Sequence, residues 1–264
     1  MAGYQKHKNN KIRAGLALLG LLCLSIGVVG QYRSDALTTS ASVGGRELPI
    51  YCVDTDEKKV ALSFDAAWGN EDTARILEIL KKNDVHVTFF MTGGWVDSYP
   101  EDVKALYEAG HDLGNHSENH KNMSQLSVEE CKKEVQLVHD KVKEITGYDM
   151  FLFRPPYGDY DNEVITTVRE MGYYPIQWDV DSLDWKDYDA KTIFKRVTEN
   201  LQPGSIVLFH NAALHTPEAL PSILEFMQQN GYTVVPIGQL IYTENYTIDH
   251  AGRQWPAQEE KAAS

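Results

Sequence analysis

Two candidates for acid–base chemistry lie at the ends of apolar segments that we predict to be buried β-strands. Asp65 follows residues 60–64, and His210 ends residues 205–210. A carboxylate at the end of a buried strand is costly unless it has a partner or a chemical role, so Asp65 is either a general base or a cap of the next helix. His210 is either an acid–base group or a hydrogen-bonded histidine of the core.

Two histidines four residues apart are the candidate metal ligands. His116 and His120 can face one way on a helical turn and bind a divalent metal, although solvent-exposed histidine pairs have the same spacing. They follow a short predicted strand, residues 112–115, which favours a functional interpretation because active sites form at strand ends.

Two further polar segments also follow apolar runs. Arg154 precedes two prolines and Tyr157, and so could hold a carboxylate in a rigid position or lie on a surface turn. Residues 178–185 contain three aspartates and two tryptophans. This segment could stack on a sugar and supply a carboxylate that tunes a neighbour, or it could be an ordinary acidic loop.

The elements that must position these residues alternate between strand and helix. The predicted strands are residues 60–64, 86–91, 112–115, 174–178, 205–210 and 233–236, and the predicted helices are residues 71–82, 100–109, 128–146, 162–171, 190–200 and 217–230. Asn70 and Ser127 are predicted to cap two of the helices. About seven such repeats indicate an α/β fold with a parallel sheet, either a barrel or doubly wound. Neither GxGxxG nor GxxxxGK[ST] follows a strand, which disfavours nucleotide binding.

Composition limits the possible partners. The chain has 264 residues, 42% of them hydrophobic, and a formal net charge of −13. This charge argues against nucleic acid and favours a neutral glycan held by aromatic rings and hydrogen bonds. The three cysteines show no metal-binding spacing, and only a Cys52–Cys131 disulfide stays open.

The N-terminus indicates export. Residues 1–13 form a basic flank, predicted to be cytoplasmic, and residues 14–30 form an uncharged apolar segment. This pattern predicts a transmembrane signal anchor or, alternatively, a cleaved signal peptide. We expect a single-pass protein of the cell membrane whose extracytoplasmic part comprises a linker (31–57, with a possible short strand at 48–53), a catalytic domain (58–242) and a polar tail (243–264).

The five polar segments in this order resemble the polysaccharide deacetylases with a NodB-homology domain, the family-four carbohydrate esterases. The resemblance covers residues 58–240, and Phe64–Gly69 is most similar to the sporulation-associated branch. It implies a distorted (β/α) barrel that hydrolyses the N-acetyl group of N-acetylated sugars. Cell-wall peptidoglycan is the expected substrate, with chitin-like oligomers second.

The resemblance also implies roles for individual residues. It assigns Asp65 as general base, oriented by Arg154, and His210 as general acid, supported by Asp184 or less favourably by Asp181. His116 and His120 would be ligands of zinc (or cobalt or nickel). The backbone amide of Tyr157 would bind the oxyanion, and Trp185 and Leu208 would line the acetyl pocket.

One position departs from the family pattern. Where the family has a second aspartate as metal ligand, this chain has Ala66. Asp112 or Glu118 could substitute. Three hypotheses follow: a deacetylase with a weakened or rebuilt metal site, an enzyme that works with little or no metal, or a glycan-binding barrel of the envelope. A glycoside hydrolase that pairs Asp65 with Asp181 or Asp184 is the alternative from another enzyme class.

Overall fold

The structure, a computed structural model, describes residues 42–257. Its strands are β1 (Ser42–Val43), β2 (Arg46–Glu47), β3 (Cys52–Val53), β4 (Lys59–Ala66), β5 (Thr88–Met91), β6 (Asp112–Asn115), β7 (Leu152–Phe153), β8 (Tyr174–Pro175), β9 (Val180–Asp181), β10 (Ile206–His210), β11 (Thr233–Val234), β12 (Tyr246–Ile248) and β13 (Arg253–Pro256). Its helices are α1 (Thr73–Lys82), α2 (Gly93–Ser98), α3 (Pro100–Glu108), α4 (Val128–Thr146), α5 (Asn162–Glu170), α6 (Ala190–Asn200), α7 (Thr216–Gln229) and α8 (Ile237–Leu240).

Seven parallel strands form one curled sheet, in the order β8-β7-β6-β5-β4-β10-β9, and β11 pairs with the start of β4. This arrangement is consistent with the distorted (β/α) barrel that the family resemblance implies. The register places His210 of β10 directly opposite Asp65 of β4, and Asp65 opposite Phe90 of β5. The two candidate acid–base residues are therefore neighbours at the carboxyl edge of the sheet.

Aromatic rings hold the central strands together. Phe64 of β4 stacks against Phe89 of β5 and Phe209 of β10, with ring centroids 5.1 and 5.4 Å apart. All three side chains are fully buried. Strands β4 and β10 are almost continuously apolar because helices cover the outside of the parallel sheet.

Of the two predicted helix caps, the structure confirms Ser127 and contradicts Asn70. Ser127 caps α4 in a capping box with Glu130, as predicted. At α1 the cap position is Asp72, and no side chain caps the helix. Asn70 instead donates a hydrogen bond to Asp102 at 2.7 Å. Its amide thus joins the loop before α1 to α3.

The folded unit extends beyond the predicted catalytic domain at both ends. Strand β13, within the predicted tail, pairs with β12 and with β3, which lies in the predicted linker. Leu48, Ile50 and Val53 are buried. Burial of these apolar side chains favours the packing of this short segment against the rest of the fold. Cys52 and Cys131 are both buried free thiols, so the Cys52–Cys131 disulfide does not form.

The predicted membrane anchor, residues 14–30, lies outside the described residues, as do the basic flank and linker residues 31–41. Among residues 42–257, the structure contains no helix with the length and hydropathy needed to cross a membrane.

Candidate active site

A cavity of about 550 Å³ opens at the carboxyl ends of the central strands. Its size is typical of small-molecule sites. Its lining includes Asp65, Ala67, Trp68, His116, His120, Tyr157, Trp178, Asp181, Trp185, Asp187, Leu208, His210, Asn211, Ala212 and Ala213. Of the nine site residues predicted from sequence, seven line this cavity, and Arg154 and Asp184 lie directly behind it.

Asp65 is held by a buried guanidinium. Arg154 Nη1 donates to Asp65 Oδ1 at 2.8 Å, and Nη2 donates to Ser63 Oγ at 2.8 Å and to the carbonyl of Gln177. Arg154 is completely buried, with its guanidinium 4.2 Å from the Phe90 ring centroid. Burial alone would raise the pKa of Asp65, but the positive charges near it, that of Arg154 first, and the hydrogen bond from Arg154 together outweigh burial and lower that pKa. Asp65 is therefore ionised at neutral pH and able to accept a proton.

His210 is held by a buried carboxylate. Its Nδ1 lies 2.7 Å from Asp184 Oδ1, and its backbone N–H donates to Asp184 Oδ2 at 2.8 Å. Thr216 Oγ1 also donates to Asp184 Oδ2, at 2.6 Å. Burial opposes the charged imidazole, but the hydrogen bond and charge of Asp184 outweigh it and raise the pKa of His210. With Nδ1 engaged by Asp184, Nε2 of His210 is the nitrogen that can donate a proton.

The structure distinguishes the two aspartates offered as support for His210. Asp184 contacts His210, whereas Asp181 Oδ1 accepts the backbone N–H of Leu183 and shapes its own loop. Asp184 is fully buried with its oxygens occupied, so it cannot act on a glycosidic bond. This removes one of the two carboxylate pairs that a glycoside hydrolase would need.

His116 and His120 lie side by side, with ring centroids 4.9 Å apart. His116 Nδ1 lies 2.7 Å from the carbonyl oxygen of Arg154 and must donate to it, so Nε2 presents its lone pair to Asp65 Oδ2 at 3.5 Å. Burial lowers the pKa of both imidazoles, that of His120 to about 4. His120 Nδ1 is buried without a hydrogen-bond partner. Both rings are thus neutral at physiological pH.

These donors do not fit the catalytic metal that the family resemblance implies. Position 66 supplies a fully buried methyl group. Neither of the two substitute ligands considered, Asp112 and Glu118, lines the cavity. Asp112 starts β6 and accepts the backbone N–H of Gly238, and Glu118 pairs with Lys141. Within residues 42–257, no three His, Cys, Asp or Glu side chains are grouped to hold a metal ion. Two imidazoles alone lack the third protein ligand of a typical zinc site.

The predicted substrate-binding residues share the cavity. Tyr157 and Trp185 expose 64% and 55% of their surface, whereas Leu208 is buried in the wall. Three loops at the cavity contain four residues in the left-handed region: Tyr157 (φ 60°), His120 (φ 53°), and Leu183 (φ 52°) and Asp187 (φ 54°) of one loop. Non-glycine residues in this region are uncommon and cluster at functional sites.

Sequence reasoning missed several residues of the site. Ser63 lies two positions before Asp65 and so on the same strand face, a periodicity that could have revealed it. Thr216 and Asn211 reach their hydrogen-bond partners only in the folded chain. Asn211 donates to the carbonyl of Gly69 and to Thr73 Oγ1. Trp68 lines the cavity and is 64% exposed, which its position in the chain does not reveal.

Comparison with known proteins agrees with this geometry. A family model for polysaccharide deacetylases matches residues 53–176. The chain is 32% identical over 203 residues to the peptidoglycan-N-acetylmuramic acid deacetylase PdaA of Bacillus subtilis, which covers 75% of this chain and 77% of PdaA. It is 30% identical over 192 residues to a peptidoglycan-N-acetylglucosamine deacetylase of Bacillus cereus, which covers 71% and 70% of the two chains.

Solved structures lead to the same family. PdaA, a family-four carbohydrate esterase, superimposes with a TM-score of 0.70 at 31% identity, over 73% of this chain and 84% of that one. A pseudoenzyme of the same family from Bacillus anthracis gives 0.71 at 34% identity, over 80% and 73%. A mutant of that pseudoenzyme with restored enzymatic activity also gives 0.71, at 37% identity over 74% and 71%. The chain therefore belongs to the polysaccharide deacetylase family, family four of the carbohydrate esterases.

Proposed function

We propose that this protein is a hydrolase that removes N-acetyl groups from an N-acetylated glycan of the cell envelope, with peptidoglycan as the substrate. One observation carries the proposal. Asp65 and His210 face each other across two adjacent strands in one cavity, and each is held by its own buried counter-charge. A binding protein has no need of a base and an acid that are oriented in this way.

The reaction follows from the protonation states. A water molecule attacks the acetamide carbonyl while Asp65 accepts its proton, and a tetrahedral oxyanion forms. His210 then gives a proton to the nitrogen as the C–N bond breaks. The products are acetate and a free amine on the sugar. Arg154 keeps Asp65 ionised, and Asp184 keeps His210 protonated until this second step.

The place of the reaction rests on the N-terminal sequence. A basic flank followed by an apolar segment at residues 14–30 supports a single membrane anchor with the catalytic domain outside the cytoplasm. PdaA and the Bacillus cereus relative are named for peptidoglycan substrates, which supports an envelope glycan here. The cavity lining contains no Lys or Arg among the described residues, which fits a neutral sugar.

Zinc, cobalt or nickel at His116 and His120 is expected to bind weakly. The two imidazoles provide neither the third donor nor the negative charge of the usual site. The base and acid chemistry therefore depends on Asp65 and His210 in either case.

The test is acetate release from N-acetylglucosamine polymers and from peptidoglycan. We would assay the full-length protein after chelation, with and without added zinc, cobalt or nickel, beside Asp65→Asn and His210→Ala. Acetate release that is lost in both variants would establish the deacetylase. A response to added metal would show that Ala66 is tolerated. Shortened chains with their acetyl groups retained would instead indicate a glycoside hydrolase.

A second function is a glycan-binding barrel without catalysis. It is favoured by Ala66 and by the structural similarity to a pseudoenzyme of the same family. In this case the wild-type protein would bind the same polymers and release no acetate under any metal condition.

A further inference from the structure

Gln177 is a buried polar side chain that the proposed chemistry does not use. It lies between β8 and β9, only 2% of its surface is exposed, and it is not part of the cavity lining. Burying a side-chain amide is costly unless hydrogen bonds satisfy it. The partners of Gln177 therefore indicate why an amide, rather than an apolar side chain, occupies this position.

Gln177 holds two different parts of the site. Its backbone carbonyl accepts a hydrogen bond from Arg154 Nη2 at 3.2 Å, and Arg154 is the group that holds Asp65. Its side-chain Nε2 donates to the carbonyl of Gly158 at 3.1 Å. Its own backbone N–H donates to the carbonyl of Ile50 at 2.7 Å, which fixes the position of Gln177 itself. One residue thus connects the guanidinium behind the base to the turn that follows β7.

The turn that Gln177 holds has an unfavourable backbone conformation. Tyr157 and Gly158 are both in the left-handed region, with φ of 60° and 67°. A non-glycine residue persists there only where the surrounding structure holds it. Inside the turn, Gly158 donates its N–H to the carbonyl of Pro155 at 3.1 Å. From outside, the Gln177 amide packs so closely that a Cβ at position 158 would lie 3.3 Å from its Oε1.

The backbone N–H of Tyr157 is available to a ligand. Tyr157 lines the same cavity as Asp65 and His210, and its N–H donates to no acceptor in the part of the chain that the structure describes. Backbone N–H groups are nearly always paired with protein or solvent, so this one can donate to an oxyanion in the cavity. Such a donor is effective only if its position is fixed before the reaction begins.

We propose that Gln177 is a positioning residue whose side-chain amide holds the Tyr157–Gly158 turn, so that the N–H of Tyr157 meets the oxyanion of the proposed reaction. Because the same residue also holds Arg154, the base and the oxyanion donor keep a fixed position relative to one another. The inference rests on the proposed function for its catalytic consequence. Gln177 itself touches neither substrate nor water in the reaction.

The experiment measures the kinetics of acetate release from the N-acetylglucosamine tetramer by the full-length protein. Gln177→Met keeps the length of the side chain and removes the donor. It is expected to lower kcat at least about tenfold and to leave KM within about threefold, because the oxyanion contact exists only in the transition state. Both limbs of the pH profile should stay in place, since the Asp65–Arg154 and His210–Asp184 pairs remain intact.

Gln254→Met is the matched control. Gln254 is a fully buried glutamine on β13, and its Nε2 donates to the carbonyl of Tyr242 at 2.7 Å, away from the cavity lining. This variant also loses a buried amide, so it should lower the melting temperature while kcat stays at the wild-type value. An unchanged kcat in Gln177→Met would overturn the inference, as would an equal loss of kcat in both variants or a loss confined to KM.

Hydrogen exchange tests the turn without catalysis. A peptide that contains residues 155–159, followed by mass spectrometry, should exchange at least about tenfold faster in Gln177→Met than in the wild type and Gln254→Met. If the wild-type protein releases no acetate, the proposed function is refuted and this measurement decides the remainder. Faster exchange in Gln177→Met would then leave its hold on the turn established, and unchanged exchange would overturn that as well.

Discussion

At the scale of single residues, the site consists of two buried ion pairs that face one another. In the proposed reaction, Asp65 held by Arg154 is the base, and His210 held by Asp184 is the acid. Sequence alone could predict the residue types, because a charge at the end of an apolar strand needs a partner. It could not choose between Asp181 and Asp184, since both lie in the same short segment, residues 178–185, and only the fold determines which one reaches His210.

Asp65→Asn is expected to abolish acetate release and to destabilise the protein. Loss of a general base costs about 10²–10⁴-fold in rate, and a buried Arg154 without a counter-charge costs about 3–5 kcal/mol in free energy of unfolding. Because the fold lowers the pKa of Asp65, its contribution is complete above about pH 4 and is lost as the pH falls through the lowered pKa. Urea unfolding at several pH values checks this.

The control for that variant is Asp187→Asn. Asp187 lines the same cavity with a left-handed backbone that Asn adopts readily. It should retain activity and stability. Equal loss of stability in both variants would contradict a special role for the Asp65–Arg154 pair.

Asp184→Asn is expected to move the alkaline limb of the activity profile. Asp184 raises the pKa of His210, so the protonated acid persists above pH 6.5 in the wild type and is lost as the pH rises through the raised value. Without the carboxylate, the limb should shift to lower pH. Asp181→Asn, which removes a more distant charge, should shift it less. An unchanged limb in both would show that another group controls it.

At the scale of elements, the start of a helix supplies a further hydrogen bond to the buried carboxylate beside His210. Thr216, the first residue of α7, donates to Asp184 from a position six residues after His210. This short connection ties the start of the helix to the buried carboxylate. Such a role depends on where a helix begins, and sequence patterns locate helix ends only to within a few residues.

Thr216→Val is expected to lower the free energy of unfolding by about 1–3 kcal/mol, because Asp184 loses one of its hydrogen bonds without a change in side-chain shape. The remaining carboxylate charge should favour protonated His210 more strongly, so the alkaline limb should move to higher pH. This direction is opposite to that of Asp184→Asn. Thr192→Val, at the first turn of α6, is the control that should leave the pH profile in place.

The long elements were predictable and the short ones were not. Helices α4 and α6 match the predicted ranges at both ends, and β6 matches residues 112–115. Strands β7 and β9, each two residues long, were missed because so short a run shows no periodicity. Strand β7 lies directly before Arg154, and β9 lies within the predicted site segment 178–185, so the chemistry was visible in the sequence where the strand that positions it was not.

At the scale of the whole molecule, the segment before β4 completes the sheet. Ile50 donates its backbone N–H to the carbonyl of Pro175 at 2.8 Å, and its own carbonyl accepts from Gln177 at 2.7 Å. This pairing covers the otherwise open edge at β8. An uncovered edge is a template for aggregation.

A variant that begins at residue 58 is therefore expected to aggregate. It loses the buried Leu48, Ile50 and Val53, each of which stabilises the fold by about 1.5–3 kcal/mol, and it exposes the edge of β8. A variant that begins at residue 42 keeps these contacts and should remain monomeric. Size-exclusion chromatography and thermal unfolding of the two compare them directly. Equal behaviour would mean that the catalytic domain does not need this segment.

The pairing of β4 with β10 also has a consequence for the time at which activity appears. The hydrogen bond from Ser63 to the carbonyl of Val207 joins residues 144 apart in the sequence. Contacts between such distant residues close late and slowly during folding. In the proposed export from the N-terminus, the proposed base would cross the membrane well before the proposed acid. Catalysis should begin only when β10 inserts beside β4, so recovery of acetate release during refolding should lag behind recovery of helical circular dichroism.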